Sequence, residues 1–275
     1  MRIEVACGRE TNVPWVRFRP DGHRQLDQPW MICGQGRIMK PARDPLYRRH
    51  RFPAEVISYA VWLYFRFPLS LRMVEEMLAA RGIDVSHESV RHWAEKFGRE
   101  YANRIRGRAP ARGDKWHMDK VVLTIRGRKH WLWRSVDQKG FVLDVLVQSR
   151  RDRVAAQRLM RKLLKKSTKP PRVMITDKLK SYGAAHKDMG LGIEHRQHKG
   201  LNNWAENSHL PTRRRERIMK RFKSPRQVQT FLSIHDQVAN LFHFPRHKNS
   251  AHLYRATRAQ AFSTWAEVAA TPLAA

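Results

Sequence analysis

Three carboxylates stand out by their position in the chain: Asp119 in "WHMDKVV", Asp177 in "VMITDKLKSY" and Glu206 in "NNWAENSH". They lie 58 and 29 positions apart (177 − 119 and 206 − 177), so only a fold can bring them together. Asp119 heads one β-branched apolar run, Asp177 ends another, and Glu206 falls in the first turn of a helical segment. Gathered in one place, three carboxylates repel one another. A hard divalent cation, Mg²⁺ or Mn²⁺, relieves that repulsion by taking oxygen ligands. Two such ions about 3.5–4 Å apart activate an attacking oxygen and stabilise a leaving oxygen in phosphodiester displacement. Each acid alone has an ordinary structural reading, since strand-end Asp forms turns and caps and first-turn Glu answers the helix dipole. Asp137 and Asp144 compete for the part of Asp119. Asp137 precedes "QKG" and reads as turn chemistry, and Asp144 is expected to alternate outward.

The apolar period says which elements would carry these acids. Val121–Ile125, His130–Val136 and Phe141–Val147 read as strands joined by the short turns "RGRK" and "DQKG", an antiparallel meander. "DRVAAQRLMRKLLKK" places Val154, Leu159, Leu163 and Leu164 near helical spacing. Two prolines then end that helix, and Val173–Thr176 is the fourth strand, parallel to the first because a crossover helix precedes it. A short run at Ile193–Arg196 follows, and helix dominates from about Asn203 onward. The expected class is mixed α/β, a five-stranded mixed sheet flanked by helices in the ribonuclease-H-like arrangement. With strands one and four as neighbours, Asp119 and Asp177 meet at one sheet edge and the next helix brings Glu206 across.

Upstream, the chain reads as three helices. Pro53 suits a first turn before Val56, Tyr59, Ala60 and Leu63. Ser70 is a candidate N-cap ahead of Leu71, Val74, Met77 and Leu78, and Gly82 supplies a left-handed stop. Ser86 caps a third helix whose Val90, Trp93 and Phe97 face inward. This is the helix-turn-helix plan, in which the third helix enters the DNA major groove. The residues then facing DNA are Ser86, His87, Glu88, Ser89, Arg91, His92 and Lys96. An ordinary three-helix core with a solvated face fits the same pattern.

Charge favours a polyanion. Lysine and arginine total 55 against 24 acidic residues, a formal net charge of +31, while 41% hydrophobic residues exclude a disordered basic tail. "TRRRERIMKRFKS" sets Arg213, Arg214, Arg215, Arg217, Lys220 and Arg221 just after Glu206, placed to hold DNA phosphates. Cys7 and Cys33 make neither a metal cage nor a disulfide framework. His117, His195, His198 and His209 follow no zinc spacing and read as packing or phosphate contacts. Trp131 and Trp133, at strand spacing, read as core. The sequence shows no run of about 18 apolar residues and no secretory signal. The expected setting is a reducing cytoplasm, where the nucleic acid is. Residues 1–45 mix Pro, Gly and Arg without a period and are expected to have low order. "YRATRAQAFSTWAEVAA" reads as an amphipathic helix with Phe262, Trp265 and Val268 inward, packing on its own domain or on a second copy.

"WHMDKVVLTIRGRKHWLWRSVDQKG", "ITDKLKSY", "EHRQHKGLNNWAENSH" and "RRRERIMKRFKS" resemble the core of bacterial transposases of the insertion-sequence-6 family, and residues 52–97 resemble that family's helix-turn-helix. The resemblance runs from about Leu46 to about Phe244. It implies a DDE active site at Asp119, Asp177 and Glu206, holding two Mg²⁺ or Mn²⁺ ions. It implies cleavage at the ends of a mobile element, then attack of a free 3′-hydroxyl on target DNA. Its partners would be double-stranded DNA, as terminal repeats and target, and a second copy of the chain, with no membrane. The domains expected are an extension at 1–45, a helix-turn-helix at 46–105, a basic linker at 106–115, a catalytic domain at 116–247 and a helical tail at 248–275. Two features depart from the family pattern: Lys120, where an acidic residue is common, and the short interval from Asp177 to Glu206. These departures motivate the alternative of a decayed copy that only binds DNA or represses its element. A structure-selective nuclease or RNA-processing enzyme of the same fold is a third reading.

Overall fold

Alternating apolar residues and two tight turns build the sheet. In the computed structural model, which describes residues 44–109, 113–167, 169–244 and 249–271, β1 (Lys115–Ile125) and β2 (Arg128–Asp137) pair antiparallel. Arg126 and Gly127 join them with φ of 49° and 76°, the paired left-handed conformation that matches strand twist in a two-residue hairpin. β3 (Val142–Gln148) returns antiparallel to β2. Asp152 then accepts from the Ala155 N–H at 2.9 Å and starts α4 (Arg153–Lys165), which carries the chain over to β4 (Val173–Thr176), parallel to β1. α5 (Lys180–Asp188) leads to β5 (Glu194–Gln197), parallel to β4. The order β3-β2-β1-β4-β5 makes the mixed five-stranded, ribonuclease-H-like sheet read from the sequence. The low order expected of residues 1–45 concerns positions that, apart from Asp44 and Pro45, lie outside the described residues.

Side-chain alternation divides the apolar residues between two cores. Trp116 and Met118 of β1 and Trp133 of β2 pack with Leu159, Met160 and Leu163 of α4 and Tyr182 of α5. On the opposite face, Leu123, Ile125, Leu132, Val145 and Val147 pack against α8 (Pro225–Leu241). That second core continues without a break into α1 (Ala54–Arg66), α2 (Leu71–Ala79), α3 (His87–Arg108) and α9 (Ala251–Ala269). The caps are those expected: the Ser70 hydroxyl accepts from Met73 N at 3.2 Å, the Ser86 hydroxyl from Ser89 N at 3.4 Å, and Gly82 has φ 71°.

Some expectations are corrected. β1 begins six residues before Val121 (121 − 115), so Asp119 lies inside the strand and not at its head. The polar stretch "HMDK" hid this, because its polar side chains meet partners from other elements instead of an apolar core. Val154 is exposed, since α4 buries Ala155, Ala156, Leu159, Met160 and Leu163 instead. Asp144 is buried and not turned outward, ion-paired to Lys162 at 2.8 Å and Lys166 at 2.6 Å. The helical stretch from Asn203 is broken into α6 (Asn203–Asn207) and α7 (Leu210–Ile218) ahead of α8. α9 packs on its own chain through Trp265, 5.3 Å from Tyr101 of α3, while Phe262 stays partly exposed beside Trp62 and Phe242.

Candidate active site

The parallel pairing of β1 with β4 ends at Met118 opposite Thr176, and Asp119 and Asp177 are the next residue on each strand. The register therefore sets the two at neighbouring positions. β1 is the central strand, so they meet within the sheet, at the end of β4, and not at its edge. Asp137 does act as a turn former, its Oδ1 accepting from the Lys139 and Phe141 N–H groups at 2.9 and 3.0 Å.

Asp119 is half-buried, and burial alone would raise its carboxyl. The His209 imidazole, the Lys120 backbone N–H and the Lys120 charge outweigh that and hold it below the ordinary carboxylate range. His209 Nε2 stands 3.3 Å from Asp119 Oδ2, close but off the line of a well-formed hydrogen bond. Burial pushes His209 itself below the usual imidazole value.

Asp177 divides its two oxygens. Oδ1 accepts from Leu179 N at 3.2 Å, which fixes the turn into α5, and Oδ2 accepts from the Lys120 ammonium. Behind them lies Tyr182, with Trp133 edge-on to its ring at 5.3 Å. Among the described residues its buried hydroxyl has no hydrogen-bond partner, and burial, with the charges of Asp119 and Asp177, pushes it well above the ordinary phenol value.

Glu206 arrives on a short helix that needs external ties. Asn202 Nδ2 donates to the Met118 carbonyl at 3.0 Å, and His117 Nδ1 meets the Leu201 carbonyl at 3.1 Å. The larger tie is Arg134, on β2 directly opposite Asp119 and fully buried. It donates to the Ser208 carbonyl, to Thr212 Oγ1 at 2.8 Å and to both Asp236 oxygens on α8 at 3.2 and 3.0 Å. The Glu206 carbonyl accepts from His209 N at 3.2 Å, placing Glu206 one turn from the residue that touches Asp119. Its side chain is exposed. Among the described residues, no three His, Cys, Asp or Glu side chains lie close enough together to hold one metal ion. The structure thus pairs the two aspartate positions and puts Glu206 on the adjoining helix without joining its carboxylate to theirs. As a donor set, two neighbouring aspartates with hard oxygens, one of them held ionised, suit a divalent cation.

Of the residues assigned to DNA, Glu88, Arg91, His92 and Lys96 are exposed on α3, and Ser86 and Ser89 are occupied in its cap. His87 lies between Glu75 at 3.3 Å and Glu88 at 3.4 Å, Arg91 pairs with Glu88 at 3.2 Å, and Lys96 Nζ meets His50 at 2.8 Å. In the basic cluster, Arg214, Arg217, Lys220 and Arg221 are exposed. Arg213 is partly committed, to Glu216 at 2.9 Å and the Val122 carbonyl at 2.6 Å. Arg215 is a correction. It is buried, donates to the Phe67 and Leu69 carbonyls at 2.7 Å each, and sits over the Tyr64 ring, so it presents no face to a phosphate. His195 bonds Thr176 Oγ1 at 2.9 Å and stacks on His186, a packing role. Arg134, Asn202 and Asp236 were not singled out from sequence; the one hint was a charged residue set among tryptophans and valine in "HWLWRSV".

A family model described as a DDE domain matches residues 113–244. The chain is 30% identical over 168 residues to the transposase for insertion sequence element IS257 in transposon Tn4003 of Staphylococcus aureus, covering 59% of this chain and 75% of that one. It is equally similar, at 30% over 168 residues, to the transposase for insertion sequence-like element IS431mec of a Staphylococcus aureus strain. Among solved structures, the catalytic core domain of BIV integrase aligns over 55% of this chain and 97% of its own, at 15% identity and a TM-score of 0.35. The HTLV-2 integrase catalytic core domain in complex with magnesium aligns over 52% and 97%, at 13% identity and a TM-score of 0.35.

Proposed function

The chain belongs to the insertion-sequence-6 family of DDE transposases, which are polynucleotidyl transferases, and we propose that it binds the terminal inverted repeats of an insertion sequence, cleaves DNA there and joins the freed end to target DNA. The observation that carries the reading is the β1–β4 register, which sets Asp119 beside Asp177 although 58 residues separate them in sequence (177 − 119).

In this reading Asp119, Asp177 and Glu206 are the ligands for two Mg²⁺ or Mn²⁺ ions. Once bound, such ions activate the attacking oxygen and stabilise the leaving one. The chain's own residues supply the frame. The strand pair fixes the two aspartates, His209 and the Lys120 backbone keep Asp119 ionised, and Arg134 with Asn202 holds the segment bearing Glu206 against the sheet. The exposed first turns of α3 enter the major groove of the terminal repeat, as the helix-turn-helix reading requires. Arg214, Arg217, Lys220 and Arg221 grip phosphates and add affinity without sequence preference. Two ends must be held together for transfer, so the working form on DNA is a dimer or larger.

The test is strand cleavage of a duplex carrying the element's terminal repeat, in Mn²⁺, by the native chain and by Asp177→Ala. Cleavage by the native chain alone supports the assignment; equal cleavage by both removes Asp177 from the mechanism. The Lys120–Asp177 pair favours one second reading, a chain that binds the repeats without cutting them. Specific binding with no cleavage in either metal would establish it.

A further inference from the structure

Lys120 does something that strand geometry alone does not ask of it. Alternation along β1 sends Asp119 and Lys120 to opposite faces, and Lys120 pairs across the sheet with Trp133. Its ammonium nevertheless ends on Asp177 Oδ2. The Lys120 side chain is 9% exposed and that of Asp177 23%, so the pair is far less screened than a surface ion pair. Oδ1 of Asp177 is already taken by Leu179 N. Lys120 thus holds the Asp177 oxygen that the turn into α5 does not use, and an ion reaching that oxygen meets the ammonium first.

We propose that Lys120 is a tethered counter-ion: it neutralises Asp177 when no metal is bound, and a divalent cation enters the site only by displacing its ammonium. This rests on reading Asp119 and Asp177 as the metal site. Two carboxylates at neighbouring register positions destabilise the fold unless a positive charge stands by, and Lys120 supplies one from within the chain. The fold then needs no metal to assemble, and the site pays for that independence in metal affinity, because each ion must first break a partly buried ion pair. Removing the lysine charge reverses both properties, giving tighter metal binding and a stability that depends on metal.

The experiment titrates the full chain with Mn²⁺ at fixed pH and ionic strength, following free Mn²⁺ by electron paramagnetic resonance. The native chain is compared with Lys120→Gln, Lys120→Arg and Asp177→Ala. Lys120→Gln should bind Mn²⁺ at least about tenfold more tightly, and Lys120→Arg, which keeps the charge, should stay near the native affinity. Equal affinity in Lys120→Gln and the native chain overturns the proposal. Native-like binding by Asp177→Ala overturns instead the reading of the site on which it rests. A measurement on the unaltered chain guards against a variant that does not fold. Acylation of Lys120 by an amine reagent, followed by mass spectrometry, should speed up when Mn²⁺ is added, and an unchanged rate counts against displacement.

Discussion

Arg134→Met exchanges a buried guanidinium for a shorter, unbranched apolar side chain and leaves its partners in place. Asp236, itself buried, loses both donated bonds and, among the described residues, keeps the His235 Nδ1 contact at 3.0 Å. Removing one member of a buried ion pair costs about 3–5 kcal/mol, because the other charge stays desolvated. The Thr212 hydroxyl and Ser208 carbonyl lose their donor as well. Since these losses share one guanidinium they do not add in full, and a total near 4 kcal/mol is expected. That is a large part of a typical domain stability of about 5–15 kcal/mol. Urea unfolding followed by tryptophan fluorescence reads it directly. The double variant Arg134→Met/Asp236→Leu should recover most of the loss, since replacing both partners of a buried pair by apolar groups is often neutral. It should still cleave DNA slowly, because residues 208–212 remain untied from β2. A single variant within about 1 kcal/mol of native, or a double variant no better than the single, would refute the clamp.

If Asp119 belongs to the proposed catalytic group, which acts as one unit, Asp119→Asn should lower strand cleavage by about a thousandfold or more while leaving binding to the terminal repeat unchanged; a duplex nicking assay beside a gel-shift titration checks both. Burial pushes His117, His195 and His209 below the ordinary imidazole value. The unfolded chain therefore binds more protons than the folded one as pH falls through about 6.5, and stability is full above that pH and declines below it. Urea midpoints at a series of pH values test the sign, and a midpoint that rises on acidification contradicts it. Ser86→Ala removes the α3 cap and should cost about 1 kcal/mol in the same unfolding assay. Changing Arg214, Arg217, Lys220 and Arg221 together to Ala should weaken binding to all duplexes alike and flatten its salt dependence by about one unit of slope for each phosphate no longer neutralised. Arg215→Leu should instead show up as reduced stability, with the salt slope of binding kept.

What could be read in advance was what repeats along the chain. The meander of β1 to β3, the crossover through α4 and the parallel β4 follow from apolar period and turn residues, and the caps at Ser70, Ser86 and Gly82 from local chemistry. The two aspartate positions followed from the same topology. Partners remote in sequence were hidden. Arg134 and Asp236 are 102 residues apart, and nothing local marks either as half of a pair. Arg215 sits among exposed arginines of the same type, and only the tertiary fold places the Phe67 and Leu69 carbonyls within its reach. The extent of β1 was missed because its polar residues meet groups remote in sequence, His117 the Leu201 carbonyl, Asp119 the His209 ring and Lys120 the Asp177 carboxylate, which a period-two pattern does not record.

The unbroken apolar core joining α1, α2 and α3 to one face of the sheet has a mechanical consequence. A DNA-reading module on a loose tether could search while the cutting module stayed put, and the distance between recognised bases and the broken bond would vary. Here α1 to α3, which carry the proposed DNA-reading face, share one apolar core with the sheet that carries Asp119 and Asp177, so under the proposed function the molecule acts as a fixed gauge. On that proposal, the number of base pairs from the gripped sequence to the severed phosphate is set by protein dimensions and not by a hinge.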